Sequence, residues 1–226
     1  MELETLYMDK EDRYYNQVRY DLISILNNFI NKTDRYKYLD VGCGSCDTLV
    51  YLKENEMASS AEGIELMAID NSNQQNELVD KLWIGPIEEK LGVIENNAYD
   101  IILCLDVLEH LVDPWSIVHT LADKLKVGGY LFISCPNIRE IKTMVNIFIG
   151  GKFEYAEAGI LDKTHLRFFC ANDLKDLGTT EKLEFIELIP NYKMAPNRGK
   201  FRWLHFSYLD TIFAPQYFCV SRKKLD

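Results

Sequence analysis

The sequence predicts an α/β domain built on a mostly parallel sheet, and three observations carry that prediction. Lys37 to Leu52, KYLDVGCGSCDTLVYL, passes from a short apolar strand through a glycine turn into a helix start. Ile101 to Leu105 is a continuous apolar run flanked by Asp100 and Asp106, which fits a central strand covered on both faces. Strand-like runs and helical stripes then alternate along the chain, the pattern of layered α/β folds. A length of 226 residues suffices for one such domain with a substantial core.

The elements follow in order. Residues 11–30 place Tyr14 or Tyr15, Val18, Leu22, Ile25, Leu26 and Phe29 at helical spacing, an amphipathic helix that packs on the sheet. Tyr38 to Val41 is the first strand, Gly42 to Cys46 the turn and Asp47 to Glu54 the helix after it. Gly63 to Leu66 is the second strand, Asn71 to Asp80 a polar helix and Lys81 to Gly85 a third strand. After strand four, Pro114 suits the first turn of a helix to about Lys126, closed by Gly128 and Gly129, and Tyr130 to Cys135 is strand five. Ile138, Ile141, Met144, Val145 and Phe148 form an apolar stripe that Gly150 and Gly151 break. A helix from Ala171 or Asn172 to near Gly178 precedes strand six, Leu183 to Ile189, and strand seven, Gln216 to Arg222.

A formal charge of −10 disfavours non-specific binding to nucleic acid or to anionic membrane, since both need a positive field. Lys193, Arg198, Lys200 and Arg202, interleaved with Trp203, Phe206 and Tyr208, read instead as a wall of an acceptor pocket or an oligomer contact. The start, MELETLYMDKEDRYY, is polar and acidic where a secretory signal needs a basic start and an apolar run, and no apolar run is long enough to span a bilayer. Six cysteines, mostly within apolar runs, read as free, buried thiols of a cytoplasmic enzyme. Cys43 and Cys46 also fit a dithiol redox motif, but the acids around them and the later segments are not those of a redox domain.

Gly42 and Gly44 leave bare peptide against which a nucleoside or amino-acid moiety can lie. A dinucleotide fingerprint would need a third glycine at position 47; Asp47 stands there and would repel a pyrophosphate. Asp40 adds a second acid to the same turn. The two carboxylates suit S-adenosylmethionine, which carries an ammonium and a sulfonium and no phosphate.

DVGCGSC resembles motif I of the class I S-adenosylmethionine-dependent methyltransferases, with Cys46 in place of the third glycine. Glu65 lies 25 residues after Asp40, where that family places the acid for the ribose hydroxyls. LCLDVLEHLVDPW (103–115) and LKVGGYLFISCPN (125–137) resemble the family's segments after strand four and into strand five. The resemblance implies a Rossmann-like, seven-stranded, mostly parallel sheet with an antiparallel last strand. It implies cofactor contacts at Asp40, Gly42, Cys43, Gly44, Glu65, Leu66, Ile87, Asp106 and Val107, with S-adenosylhomocysteine as product. It divides one domain, 1–226, into a helical lid (1–33), a cofactor-binding core (36–137) and acceptor-side insertions with the last two strands (138–226).

GILDKTHLRFF (159–169) resembles a segment of a bacterial subgroup often linked to sugar and polysaccharide pathways. That implies methyl transfer to a nucleophile, an oxygen for preference, on a small molecule or sugar, with Asp162, His165 and Arg167 beside the acceptor. The alternative is that Asp162 and Arg167 pair with each other and only hold the loop. His110, at the carboxyl edge of strand four, is the first candidate for a base, with His165 the second. Asp106, Glu109 and His110 with the distant His165 admit a divalent metal, but a mixed carboxylate and imidazole set is not specific, and the expected site holds none. The rival readings are a non-catalytic cofactor-binding regulator and a dinucleotide-dependent oxidoreductase.

Overall fold

The computed structural model describes residues 18–69, 73–192 and 211–225. Seven strands form one sheet: β1 (Tyr36–Val41), β2 (Ala58–Glu65), β3 (Lys81–Ile84), β4 (Tyr99–Leu105), β5 (Leu125–Pro136), β6 (Leu183–Asn191) and β7 (Gln216–Lys223). Their order is β3-β2-β1-β4-β5-β7-β6, and β7 alone runs antiparallel to both its neighbours. The chain leaves β1 toward one edge and returns at β4 toward the other, so the topological switch lies between β1 and β4. In open sheets of this kind ligands bind beyond the carboxyl ends of the strands at that point.

The pleat divides the core in two. Leu39, Val41, Ile102, Cys104, Leu131 and Ile133 face helices α3 (Ile87–Gly92), α4 (Pro114–Lys124) and α6 (Ala171–Leu177). Tyr38, Ile101, Leu103, Phe132 and Phe218 face α1 (Tyr20–Leu26) and α2 (Asp47–Glu54). The expected strand four is the central β4, with both faces covered, as its unbroken apolar run requires. Pro114 opens α4 and the Asp113 side chain caps it by accepting from the Ser116 amide.

Four expectations need correction. Asn71 to Asp80 is not a helix: a single 3₁₀ turn, Asn73–Gln75, stands among its described residues. Asn76 bonds Asn73 and the Leu78 amide, and Asn73 bonds Asp47, so polar side chains compete with the helical ladder. Gly128 and Gly129 do not cap α4, because β5 begins at Leu125 and the pair lies in a bulge between the Tyr99–Leu125 and Ile101–Tyr130 pairings. The leading helix covers only Tyr20–Leu26 of the described residues and ends where Asn27 bonds the Ile23 carbonyl; Tyr14 and Tyr15 lie outside them. Helix α3 was not anticipated, since six residues are too few for a periodicity. The stripe after β5 forms α5 (Ile141–Phe148). All six cysteines are free, and no helix among the described residues is long and apolar enough to cross a membrane.

Candidate active site

The turn after β1 is tied to β2, because the Gly42 and Cys43 amides both donate to the Ile64 carbonyl, at 2.8 and 3.1 Å. Gly42 and Gly44 have φ of +77° and +55°, which glycine adopts without steric cost. Cys46, where the motif has a third glycine, takes the same left-handed region at φ +67° and still opens α2, so the turn survives the replacement. Its Sγ lies 3.5 Å from that of Cys43. Asp47 is held by Ser45 and by Asn73, 2.6 Å away, and Gln74 donates to the Gly44 carbonyl at 2.8 Å, so the 73–76 segment braces the turn.

Glu65 ends β2 beside this turn. One carboxylate oxygen accepts from the Gly44 amide at 2.7 Å and the other from the Leu66 amide at 2.8 Å. Burial pushes its carboxyl above the usual range, and the two amides oppose that shift. Asp40, buried on β1, is pushed up to about 7, by burial first and by the Glu65 charge, against the pull of Arg19. Ile87 opens α3, half-buried against the core.

Across the switch point, Asp106 takes a left-handed φ of +57° at the end of β4. Its carboxylate is filled by three side chains: Arg19 at 2.8 Å, Ser134 at 2.8 Å, and Gln216. Arg19 also grips Asp21, its backbone amide reaches Thr48 and its guanidinium lies over Phe218. Burial works against this cation, but Asp106 and Asp21 outweigh it and hold its pKa above the ordinary value. Val107 follows and packs over Gly42 so closely that a Cβ added there would stand 2.3 Å from its Cγ2.

Beyond Val107, the loop at Leu108–His110 meets the 159–169 segment. The Leu166 and Arg167 amides donate to the Glu109 carbonyl at 2.8 and 2.9 Å. His110 and His165 meet edge to face with ring centroids 4.8 Å apart. The Nδ1 of His110 lies 3.2 Å from the Thr164 carbonyl and that of His165 lies 3.0 Å from the Ile160 carbonyl. A carbonyl partner assigns the proton of the neutral ring to Nδ1 and makes Nε2 the basic atom of each. Glu109 is buried between the same two segments.

The partners shown for Asp162 and Arg167 are not each other. Asp162 accepts from the amide and hydroxyl of Thr164 at 2.8 and 2.7 Å, which shapes the turn presenting His165. Arg167 donates to the Val112 and Leu166 carbonyls and lies over Trp115. Sequence reasoning missed Arg19, Ser134, Asn191 and Gln216, which close the crevice from the other side; Asn191 bonds both Asp21 and Gln216. For Ser134, Asn191 and Gln216 the available signal was a polar residue at the crevice end of a strand; Arg19, before a helix, offered none.

A family profile described as a methyltransferase domain matches residues 14–187. The chain is 31% identical over 178 residues to a protein named ubiquinone biosynthesis O-methyltransferase from Acinetobacter baumannii (strain ACICU), covering 71% of this chain and 72% of that one. It is 26% identical over 207 residues to a protein of the same name from Leptothrix cholodnii, covering 83% and 84%. A solved S-adenosylmethionine-dependent methyltransferase from Archaeoglobus fulgidus shares the fold, with a TM-score of 0.57 at 18% identity over 94% of this chain and 97% of that one.

Proposed function

The chain belongs to the class I S-adenosylmethionine-dependent methyltransferases, and from that premise we propose that it moves the cofactor's methyl group to a hydroxyl oxygen of a small molecule or sugar. In this reading residues 36–137 hold the cofactor and 138–226 build the acceptor side. Gly42 to Gly44 lie under the adenosyl amino acid, with Asp40, Leu66, Ile87, Asp106 and Val107 around it. Each Glu65 oxygen accepts one amide and keeps a lone pair for a ribose hydroxyl.

The observation that carries the reading is the meeting of His110 and His165 at the rim beyond β4, beside the cofactor turn. The acceptor oxygen attacks the methyl carbon as the carbon–sulfur bond breaks, S-adenosylhomocysteine leaves as a neutral thioether, and the hydroxyl proton passes to an imidazole Nε2. Alignment of oxygen, carbon and sulfur supplies ~7 to 11 kcal/mol. Asp162 and Arg167 act by holding the loop that brings His165 to the acceptor. The relatives named as O-methyltransferases support oxygen as the nucleophile. The test is transfer of labelled methyl from S-adenosylmethionine to fractionated small molecules and sugars. Label in an ether carbon supports the reading; bound cofactor with no transfer to any fraction overturns it.

His165→Ala is expected to lower turnover about 100-fold, with S-adenosylhomocysteine affinity close to wild type. An unchanged rate removes His165 from the reaction. A second expectation concerns pH. Asp40, with its pKa near 7, is neutral below that value and ionised above it, and only the ionised form attracts the ligand's ammonium. Affinity for S-adenosylhomocysteine therefore rises as pH increases through about 7. Calorimetry on Asp40→Asn is expected to give a flat profile over that window, and a profile that keeps the wild-type step assigns it to another group.

A further inference from the structure

One group in the histidine cluster has no part in methyl transfer as described so far. Glu109 is 1% exposed, and neither of its carboxylate oxygens has a hydrogen-bond partner of ordinary geometry among the described residues, with only the weak donor of the Cys135 thiol beside it. Proteins rarely bury a carboxyl in this way, because leaving such a group unpaired costs free energy that an apolar residue would not. The ligand atoms of Glu109, His110 and His165 all lie within 4.8 Å of one another, and all three residues are buried. Both imidazoles hold Nδ1 against a backbone carbonyl, the outer contact that orients a ligating Nε2 in metal sites.

We propose that Glu109, His110 and His165 form a binding site for a divalent first-row transition cation, with two imidazole nitrogens and one carboxylate oxygen as protein ligands. The cation answers the burial of Glu109, since it replaces the missing hydrogen bonds with a coordinate bond. The donor set selects the class: imidazole nitrogen suits zinc, iron or nickel, whereas magnesium and calcium favour sites made of oxygen. Asp106 is not a ligand, because Arg19, Ser134 and Gln216 occupy its carboxylate. Three protein ligands leave coordination open toward the acceptor side. This proposal replaces the expectation of a metal-free site.

The use of the cation rests on the proposed methyl transfer: at an open position it would hold the acceptor oxygen and lower its pKa, and because both Nε2 atoms are then ligands the proton would pass to solvent and not to an imidazole. Binding itself does not rest on that reading, and the two fail separately. The experiment takes the full chain, stripped with chelator, titrates it with Co²⁺ and follows visible absorption together with metal content per chain. The expected result is one equivalent bound, with ligand-field bands characteristic of mixed nitrogen and oxygen coordination. Glu109→Gln and His165→Gln are each expected to weaken Co²⁺ binding by about 100-fold. Zn²⁺ is expected to displace the Co²⁺ bands.

The proposal is overturned if the wild-type chain takes up no stoichiometric Co²⁺, a result that needs no variant to fold. It is overturned equally if uptake is unchanged in both variants, which would place the ion elsewhere. S-adenosylhomocysteine calorimetry on the same samples separates the two ideas. Cofactor binding without Co²⁺ binding removes the cation site alone; Co²⁺ binding without cofactor binding removes the methyl-transfer reading alone.

Discussion

Gly44→Asp is expected to lower affinity for S-adenosylhomocysteine by about 1,000-fold while the chain still unfolds in one cooperative transition. The Gly44 amide already donates to Glu65 at 2.7 Å, so a side chain at this position begins within a few bonds of that carboxylate. Two carboxylates about 4 Å apart repel by about 4 kcal/mol at the effective dielectric of a partly buried site, so a ligand that must confine the new acid beside Glu65 to bind gives up energy of that order, about a factor of 1,000 in affinity. The new acid also occupies the face of the turn on which the cofactor would lie. The backbone itself tolerates the change better than most, since φ is +55° and aspartate enters the left-handed region more readily than other residues. Gly44→Ala is the control, carrying the backbone cost without the charge, and a smaller loss is expected. Calorimetry gives the affinities and urea denaturation the cooperativity. Normal binding by the aspartate variant would move the cofactor away from this turn.

Gly42→Ala is expected to destabilise the fold by about 2 to 6 kcal/mol, combining a strained backbone of about 1 to 3 with overpacking of a similar size. A methyl group at Gly42 would stand 2.3 Å from Val107 Cγ2, and the residue's φ of +77° disfavours any side chain. Val107 cannot turn aside cheaply, because a β-branched side chain has few rotamers and this one is buried. The expected signature is a lower urea midpoint with an unchanged slope, since the surface exposed on unfolding stays the same. Cofactor affinity falls with it, because relief of the clash must separate the β1 turn from the β4 loop. A loss below about 0.5 kcal/mol, the range of ordinary surface substitutions, would show that the two loops are not packed this way.

Much of the scaffold was legible before any coordinates. Ile101 to Leu105 had to be covered on both faces because its run has no polar side, and it became the central strand. Glu65 was found because the resembling family places an acid at that distance from Asp40, and its carboxylate does reach the glycine turn. The misread segments share one cause. At 73–76 and at Gly128 the outcome depends on side-chain bonds and a strand bulge whose partners lie elsewhere in the chain, as Asp47 does for Asn73.

The crevice was half legible. His110 and His165 were each singled out, but no periodicity relates positions 55 residues apart, and only folding brings their rings to 4.8 Å. Arg19 gave no signal at all; its place is fixed by Asp106, 87 residues later. Asp162 and Arg167 were chosen for their chemistry, and their partners turned out to be Thr164 and two backbone carbonyls.

The sequence by itself determined the αβα layering, the glycine turn and the acids around it, because apolar spacing and glycine placement act on backbone geometry within a few residues. Only the tertiary structure decided which polar groups meet at the crevice and that the Glu109 carboxyl is buried beside two histidines. The physical reason is that strand crossovers set such contacts, and burial, which gives them their energy, belongs to the packed whole and not to any stretch of chain.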